Sequence, residues 1–205
     1  MGEEKTTKEE TINAIDFTEN LNEEYKKLFD EFPAEEIFPL ENIEFACIND
    51  NYKIIKFFNG ETQVGTAFVA VLKKSKYLVI NYIYIEKKLR GKGYGHTVLN
   101  ILKSKYADYR GIIVEVEPSN TDDLTDITNR RLKYYKDLNF NTLNFRYKIL
   151  QTGTNIYQEM LLYMYNLNNP TNYIYTYNEI AEILMEYYKA IFDTDYEKQY
   201  QLLNL

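Results

Sequence analysis

The sequence predicts a mixed α/β (α+β) domain in which helices flank a single central sheet of about seven strands. Stretches rich in β-branched and aromatic residues alternate with stretches of helical periodicity. Three of the strands follow one another directly before the helical stretch that begins near Val98. The segments with strand character are 11–17, 52–58, 62–72, 77–85, 112–117, 145–150 and 156–165.

The second and third of these strands are predicted to form a hairpin. Asn59 and Gly60 separate them, and this pair favours a tight turn because both residues tolerate positive φ. The paired strands therefore start an antiparallel meander that continues into the segment 77–85.

Five segments have helical character. The first begins near Asn20, which can cap a helix in which Glu23 lies three residues further on. Pro39 suits the first position of the second helix, although a strand over 43–48 is an alternative interpretation. The remaining helical segments are 98–106, 124–138 and 177–192.

Composition excludes several classes of protein. The chain of 205 residues and 24.5 kDa suits one domain with a small appendage, and its net charge of −7 argues against a nucleic-acid partner. One Cys and one His exclude an internal disulfide and any metal site built on several of these residues. No apolar stretch reaches the length of a membrane span, and the charged start MGEEKTTKEE is unlike a signal peptide. We therefore expect a cytoplasmic protein with no membrane partner.

The glycine-rich segment between a strand and a helix carries the main functional signal. Its residues Arg90, Gly91, Lys92, Gly93, Tyr94 and Gly95 follow the strand 77–85 and open the helix that contains Val98. Glycines let the backbone approach a ligand closely, and the amides and dipole of a helix start attract phosphate. A plain turn is the alternative, whereas the spacing fits neither a P-loop nor a dinucleotide fingerprint.

Three motifs in order resemble the GNAT acetyltransferase family. Arg90-x-x-Gly93-x-Gly95 is similar to its R/Q-x-x-G-x-G/A motif, the segment 113–118 to the strand that follows, and 134–140 to its F-Y-x-x-x-G-F segment. Asn139 replaces the glycine of the last motif, and Thr128 stands where the family often has an asparagine. The resemblance implies an acetyltransferase domain over 11–167, with 168–205 as a C-terminal helical extension packed on it.

The resemblance also implies where acetyl-CoA would bind. The gap would lie between two parallel strands, 77–85 and 112–117, which splay apart. Unpaired backbone groups of the first strand would hold the pantetheine arm, and the loop amides would hold the pyrophosphate. The residues implied for this co-substrate are Ile83, Tyr84, Ile85, Arg90, Gly91, Lys92, Gly93, Tyr94, Gly95 and His96.

The same resemblance assigns catalytic candidates for direct transfer to an amine without a covalent enzyme intermediate. Tyr135 matches the usual acid that protonates the leaving thiolate, with Tyr134 as the alternative. Glu115 and Glu117 alternate onto one face of a strand, so either is a candidate base or substrate anchor. A water chain and Glu36 are the other candidates for the base.

We expect the acceptor to be a primary amine of a small molecule. A protein or peptide acetyltransferase and a non-catalytic acyl-CoA-binding module are the alternatives. No metal is expected, and the chain is expected to be a monomer or a homodimer.

Overall fold

The computed structural model describes residues 12–17, 19–123, 125–154, 156–168 and 173–192. Its strands are β1 Ile12–Phe17, β2 Tyr52–Asn59, β3 Thr62–Leu72, β4 Tyr77–Ile85, β5 Gly111–Val116, β6 Asn141–Leu150 and β7 Tyr157–Asn166. Its α-helices are α1 Leu21–Leu28, α2 Leu40–Ile48, α3 Tyr94–Lys105, α4 Ile127–Asp137 and α5 Tyr177–Ile191. Short 3-10 turns occupy Ala34–Glu36 and Lys87–Leu89.

One mixed sheet of seven strands organises the described chain, in the order β1-β2-β3-β4-β5-β7-β6. The first four strands form an antiparallel meander. The predicted hairpin is present, but Asn59 still pairs with Thr62 at the end of β2, so the turn consists of Gly60 and Glu61 and not of Asn59 and Gly60. Gly60 has a φ of 58°. Only the β4–β5 pair is parallel, and the connection between these strands contains α3. The predicted fold class is therefore confirmed.

The parallel pair opens into a gap. Within the described chain, β4 and β5 pair only from Tyr77 with Gly111 to Ile80 with Val114. Asn81 is the next residue of β4 and is left out of the register with β3, which shifts between Phe68 and Val69. Such an irregularity bends a strand and increases its twist. β4 consequently leaves β5 at Asn81 while it stays paired with β3.

Helices cover both faces of the sheet. On one face, α1, α2 and α5 bury residues that include Leu28, Ile43 and Tyr187. On the opposite face, α3 and α4 bury a second cluster that includes Leu99 and Tyr135. The extra C-terminal helix α5 packs on the same face of the sheet as α1 and α2. Its buried residues are Ile180, Ala181, Ile183, Leu184, Tyr187, Tyr188, Ala190 and Ile191.

The structure corrects several details of the predicted helices. The alternative strand over 43–48 is wrong, because this segment lies in α2. Pro39 precedes α2 and does not occupy its first position. Asn20 precedes α1 at a φ of 56° and makes no side-chain capping bond, and its amide instead contacts the Glu23 carboxylate at 3.3 Å. A left-handed backbone points the Asn20 side chain away from the amides that a cap must reach.

Two further boundaries differ from the predictions. α4 begins at Ile127, where the carboxylate of Asp126 accepts from the amides of Thr128 and Asn129, and residue 124 lies outside the described residues. β6 begins at Asn141, four residues before the predicted start at Phe145. The expected extension over 168–205 is described only for 168 and 173–192. None of the described helices is long and apolar enough to cross a membrane.

Candidate active site

The glycine-rich loop begins just after β4 and ends at the start of α3. Gly91 and Gly93 have φ values of 74° and 85°, a left-handed backbone that favours glycine. Gly93 is the N-cap of α3, and its carbonyl accepts from the amides of His96 and Thr97. The first amides of an α-helix have no partner within the helix, so this end of α3 is suited to bind an anion.

Gly95 allows α4 to pack closely against the loop. A Cβ at this position would lie 2.9 Å from the hydroxyl of Tyr134, which is closer than packed atoms tolerate. The ring of Tyr134 also lies 5.4 Å from that of His96. The glycine therefore lets Tyr134 approach the start of α3, and a Cβ here would force the Tyr134 ring to shift.

The charged residues of the loop have different surroundings. Arg90 donates to the carbonyl of Ile85 at 2.9 Å and forms an ion pair with Glu31. Lys92 is exposed. Of the residues predicted to bind acetyl-CoA, it is the only one that does not line the cavity of about 510 Å³ at the gap between β4 and β5. Arg90 is thus bonded to the segment that follows α1, on one side of this cavity.

Two cavities meet at the gap between β4 and β5. The larger cavity measures about 510 Å³, and the predicted residues that line it are Ile83, Tyr84, Ile85, Arg90, Gly91, Gly93, Tyr94, Gly95 and His96. The smaller cavity measures about 160 Å³ and is lined by residues of β4, β5, β6, β7, α4 and the α1–α2 segment. Their shared wall consists of Phe32, Ile83, Arg131 and Tyr135.

Tyr135 lies where the two cavities meet. Its side chain is only 7% exposed and packs against Phe140, with ring centroids 5.3 Å apart. Burial raises the pKa of Tyr135 to about 12, against a smaller opposing effect of Arg131. The hydroxyl is therefore protonated at neutral pH and can donate a proton. Tyr134 lines only the larger cavity, although its ring centroid lies 5.3 Å from that of Tyr135.

Three carboxylates line the smaller cavity, namely Glu36, Glu115 and Glu117. Burial raises the pKa of Glu36, the negative charge of Glu117 raises it further, and Arg131 opposes both effects. Arg131 is the only basic residue in the described lining of this cavity. The described chain contains no group of three or more His, Cys, Asp or Glu side chains placed to hold a metal ion.

Glu115 and Glu117 share a face of the sheet, as their alternation predicts, but they have different partners. Tyr147 donates to one oxygen of Glu115, and Tyr187 donates to the other at 3.4 Å. Burial raises the pKa of Glu115, and these two hydrogen bonds oppose that rise. Glu117 accepts from the amide of Gln158 on β7.

The α1–α2 segment forms one wall of the smaller cavity and is held in place by hydrogen bonds. The hydroxyl of Tyr82 donates to the carbonyl of Glu36 at 3.0 Å and accepts from the amide of Phe38 at 2.8 Å. On the opposite side, the amide of Thr152 in the β6–β7 turn donates to the carbonyl of Glu35 at 2.9 Å. This bond joins the α1–α2 segment to the β6–β7 turn.

Sequence reasoning missed several residues of the smaller cavity. One of them is Arg131, which lies in the wall shared by both cavities. Asn81, Gln158 and the hydroxyls that hold Glu115 carry no motif at all. The side chain of Asn129 binds the carbonyls of Thr121 and Asp123, so it anchors the loop before α4.

Comparison with known proteins gives one family and one curated relative. The model of the acetyltransferase (GNAT) family matches residues 15–125. The relative is YjbC of Bacillus subtilis (strain 168), which is named as a candidate acetyltransferase. It is 27% identical over 177 residues, which cover 86% of this chain and 84% of the relative.

Solved structures with the same fold have diverse named substrates. A GNAT-family protein of Bacteroides thetaiotaomicron is 18% identical, with a TM-score of 0.63 over 94% of this chain and 96% of its own. A mutant of the Vibrio cholerae spermidine N-acetyltransferase SpeG is 11% identical, with a TM-score of 0.57 over 78% and 96%. The Escherichia coli ribosomal-protein-S18-alanine N-acetyltransferase is 12% identical, with a TM-score of 0.54 over 81% and 100%. Because the named acceptors differ, the shared fold does not select one.

Proposed function

This chain belongs to the acetyltransferase (GNAT) family, and from that premise we propose that it acetylates a primary amine of a small, cationic molecule. Acetyl-CoA is the acetyl donor of such an enzyme. The observation that carries the proposal is the acidic smaller cavity, which meets the larger cavity at Tyr135. The two cavities give the two substrates separate sites that meet at one wall.

The larger cavity has the features that acetyl-CoA requires. The edge of β4 that faces the gap has backbone groups without partners on β5 beyond Ile80, and these can bind the amides of an extended arm. The left-handed glycines at 91 and 93 and the start of α3 present amides to a pyrophosphate. When bound, acetyl-CoA would supply an activated thioester, and this chain's residues would hold and orient it.

Tyr135 serves as the proton donor in this proposal. Its raised pKa keeps the hydroxyl protonated, and its position in the shared wall places it at the junction of the two sites. A positioned acid of this kind contributes about 10²–10⁴ to a rate.

Glu115 is the proposed proton acceptor. An amine is largely protonated at neutral pH and must lose its proton before it can attack. A carboxylate with a raised pKa is a better base than an exposed one, and burial raises the pKa of Glu115. Glu117 and Glu36 line the same cavity and would attract the ammonium group before transfer.

Charge and enclosure support a small cationic acceptor over a peptide. Three glutamates face one arginine in the described lining, so the smaller cavity favours positive charge. The bond from Thr152 to Glu35 joins the β6–β7 turn to the α1–α2 segment, which encloses the smaller cavity on that side.

Acetyl transfer to a panel of amines would test the proposal. The purified protein would be incubated with acetyl-CoA and with diamines, polyamines, amino sugars, neutral monoamines, N-terminal peptides and lysine peptides, and products would be detected by mass. We expect acetylation of small cationic amines, and a higher KM for the preferred amine in Glu117→Gln with an unchanged KM for acetyl-CoA. Acetylation of peptides alone would refute the acceptor class. Binding of acetyl-CoA without any product would favour a non-catalytic module.

A further inference from the structure

The C-terminal helix reaches the acceptor site through one tyrosine. Tyr187 of α5 is fully buried under the sheet, and its hydroxyl donates to Glu115 on β5 while it accepts from the amide of Asn81 on β4. Asn81 is the residue at which β4 leaves the register, and it lines the smaller cavity. The hydroxyl of Tyr187 thus connects the two strands at the point where they separate.

We propose that Tyr187 is a positioning residue that holds the Glu115 carboxylate in place to accept the proton of the amine, so that α5 completes the acceptor site. This inference rests on the proposed function. Tyr187 and its partner Tyr147 both lie outside residues 15–125, the segment that matches the family model. The part of the chain that supports the base is therefore distinct from the part that carries the co-substrate motif.

The register of α5 is fixed at the neighbouring residue. The carboxylate of Glu186 accepts from the amides of Lys74 and Ser75, each at 2.9 Å, in the turn between β3 and β4. At the other end of the helix, Thr176 and Glu179 form a capping box. The capping box stabilises the start of the helix, and the Glu186 contact ties its C-terminal half to the β3–β4 turn, which holds Tyr187 beneath the gap.

The geometry leaves Glu115 dependent on hydroxyl donors. Tyr147 and Tyr187 each bond one of its two oxygens, so both are oriented. At 3.4 Å the bond from Tyr187 is long, as catalytic hydrogen bonds often are before substrate binds. Loss of the Tyr187 hydroxyl would leave one carboxylate oxygen with less stabilisation of its charged form, and the pKa of Glu115 would rise.

Other groups around Glu115 must be considered in any pH experiment. The surrounding tyrosines have pKa values raised by burial and stay neutral near pH 7. The titratable and charged groups that face Glu115 or share its cavity are Tyr52 on β2, Tyr82 on β4, Glu117 just after β5, Tyr147 on β6, Tyr187 and Tyr188 on α5, Arg131 and Tyr135 on α4, and Glu36. The remaining carboxylates of this set, Glu36 and Glu117, are retained in every variant below.

The test compares Tyr187→Phe with Tyr52→Phe. Tyr52 is a matched control, because it is 2% exposed in the same core and its hydroxyl has no hydrogen-bond partner among the described residues. For the amine found by the panel, we expect the acidic limb of kcat/KM in Tyr187→Phe to move up by about 0.5–1 pH unit, the effect of one hydrogen bond. At pH values below the limb, kcat/KM of Tyr187→Phe should be about three- to tenfold lower than that of the wild type, and the difference should disappear at higher pH. Tyr52→Phe should keep the wild-type limb, and both variants should keep the KM for acetyl-CoA.

A second readout does not require turnover. Carboxyl carbons of ¹³C-labelled glutamate would be titrated by NMR in the wild type and in both variants, with the Glu115 signal assigned by Glu115→Gln. The inference predicts a higher titration midpoint for Glu115 in Tyr187→Phe alone. If Tyr187→Phe and Tyr52→Phe give the same limb and the same midpoint, the inference is wrong even when the amine is acetylated. If no amine is acetylated, the proposed function fails, and the titration alone decides whether Tyr187 holds Glu115.

Discussion

Replacement of Gly93 by alanine isolates the contribution of the loop backbone. A Cβ at Gly93 would meet no atom within 4 Å, and the same is true at Gly60 in the β2–β3 turn. Their φ values are +85° and +58°, so both substitutions impose the same kind of strain without a clash. An L-residue in this left-handed region costs about 1–2 kcal/mol relative to glycine.

The two variants should differ in what they change. Gly60 lies away from the larger cavity, so we expect Gly60→Ala to lower the free energy of unfolding by about 1–2 kcal/mol and to leave acetyl-CoA affinity unchanged. Gly93 caps α3 and lines that cavity. If the loop of the Gly93→Ala variant relaxes to relieve the strain, acetyl-CoA binding must restore the strained form. The affinity for acetyl-CoA then falls by about 5–30-fold. If the loop keeps its shape, stability falls as in Gly60→Ala, and the new methyl group crowds the ligand.

Urea denaturation and calorimetric titration with acetyl-CoA measure the two quantities separately. We expect Gly93→Ala to weaken acetyl-CoA binding in either case, and Gly60→Ala to serve as the control for strain alone. Unchanged acetyl-CoA affinity in Gly93→Ala would refute the assignment of this loop to the pyrophosphate.

Three further predictions concern other parts of the chain. Tyr135→Phe should reduce turnover of the acceptor by at least about tenfold with little change in acetyl-CoA affinity, and full turnover in steady-state assays would remove it as the proton donor. Gly95→Ala places a Cβ 2.9 Å from the Tyr134 hydroxyl, so it should lower the melting temperature, and addition of Tyr134→Phe should recover part of the loss. Lys56→Met should lower the free energy of unfolding by about 1.5–3 kcal/mol in urea, because buried Glu24 loses its less exposed lysine partner and retains Lys27; an unchanged midpoint would contradict this.

Local chemistry explains what the sequence could predict. The strand periods and the glycines of the loop each depend on the backbone preferences of a few adjacent residues, and the structure has them where they were expected. The hairpin between β2 and β3 is also present, but its turn lies one residue later than predicted, at Gly60 and Glu61. The same holds for Glu115 and Glu117, since alternation along one strand places them on one face. Nine of the ten residues implied for acetyl-CoA by the family resemblance line one cavity.

The tertiary structure decided the remainder of the candidate site. Asn20 has the residue type of a cap, but its backbone is left-handed and its side chain makes no capping bond. Arg131 enters the shared wall only because α4 packs beside the gap. Tyr187 lies 72 residues from Glu115 in the sequence, and their contact depends on where α5 docks. A contact of this kind is set by the summed packing of a core, and short-range sequence patterns carry no information about that sum.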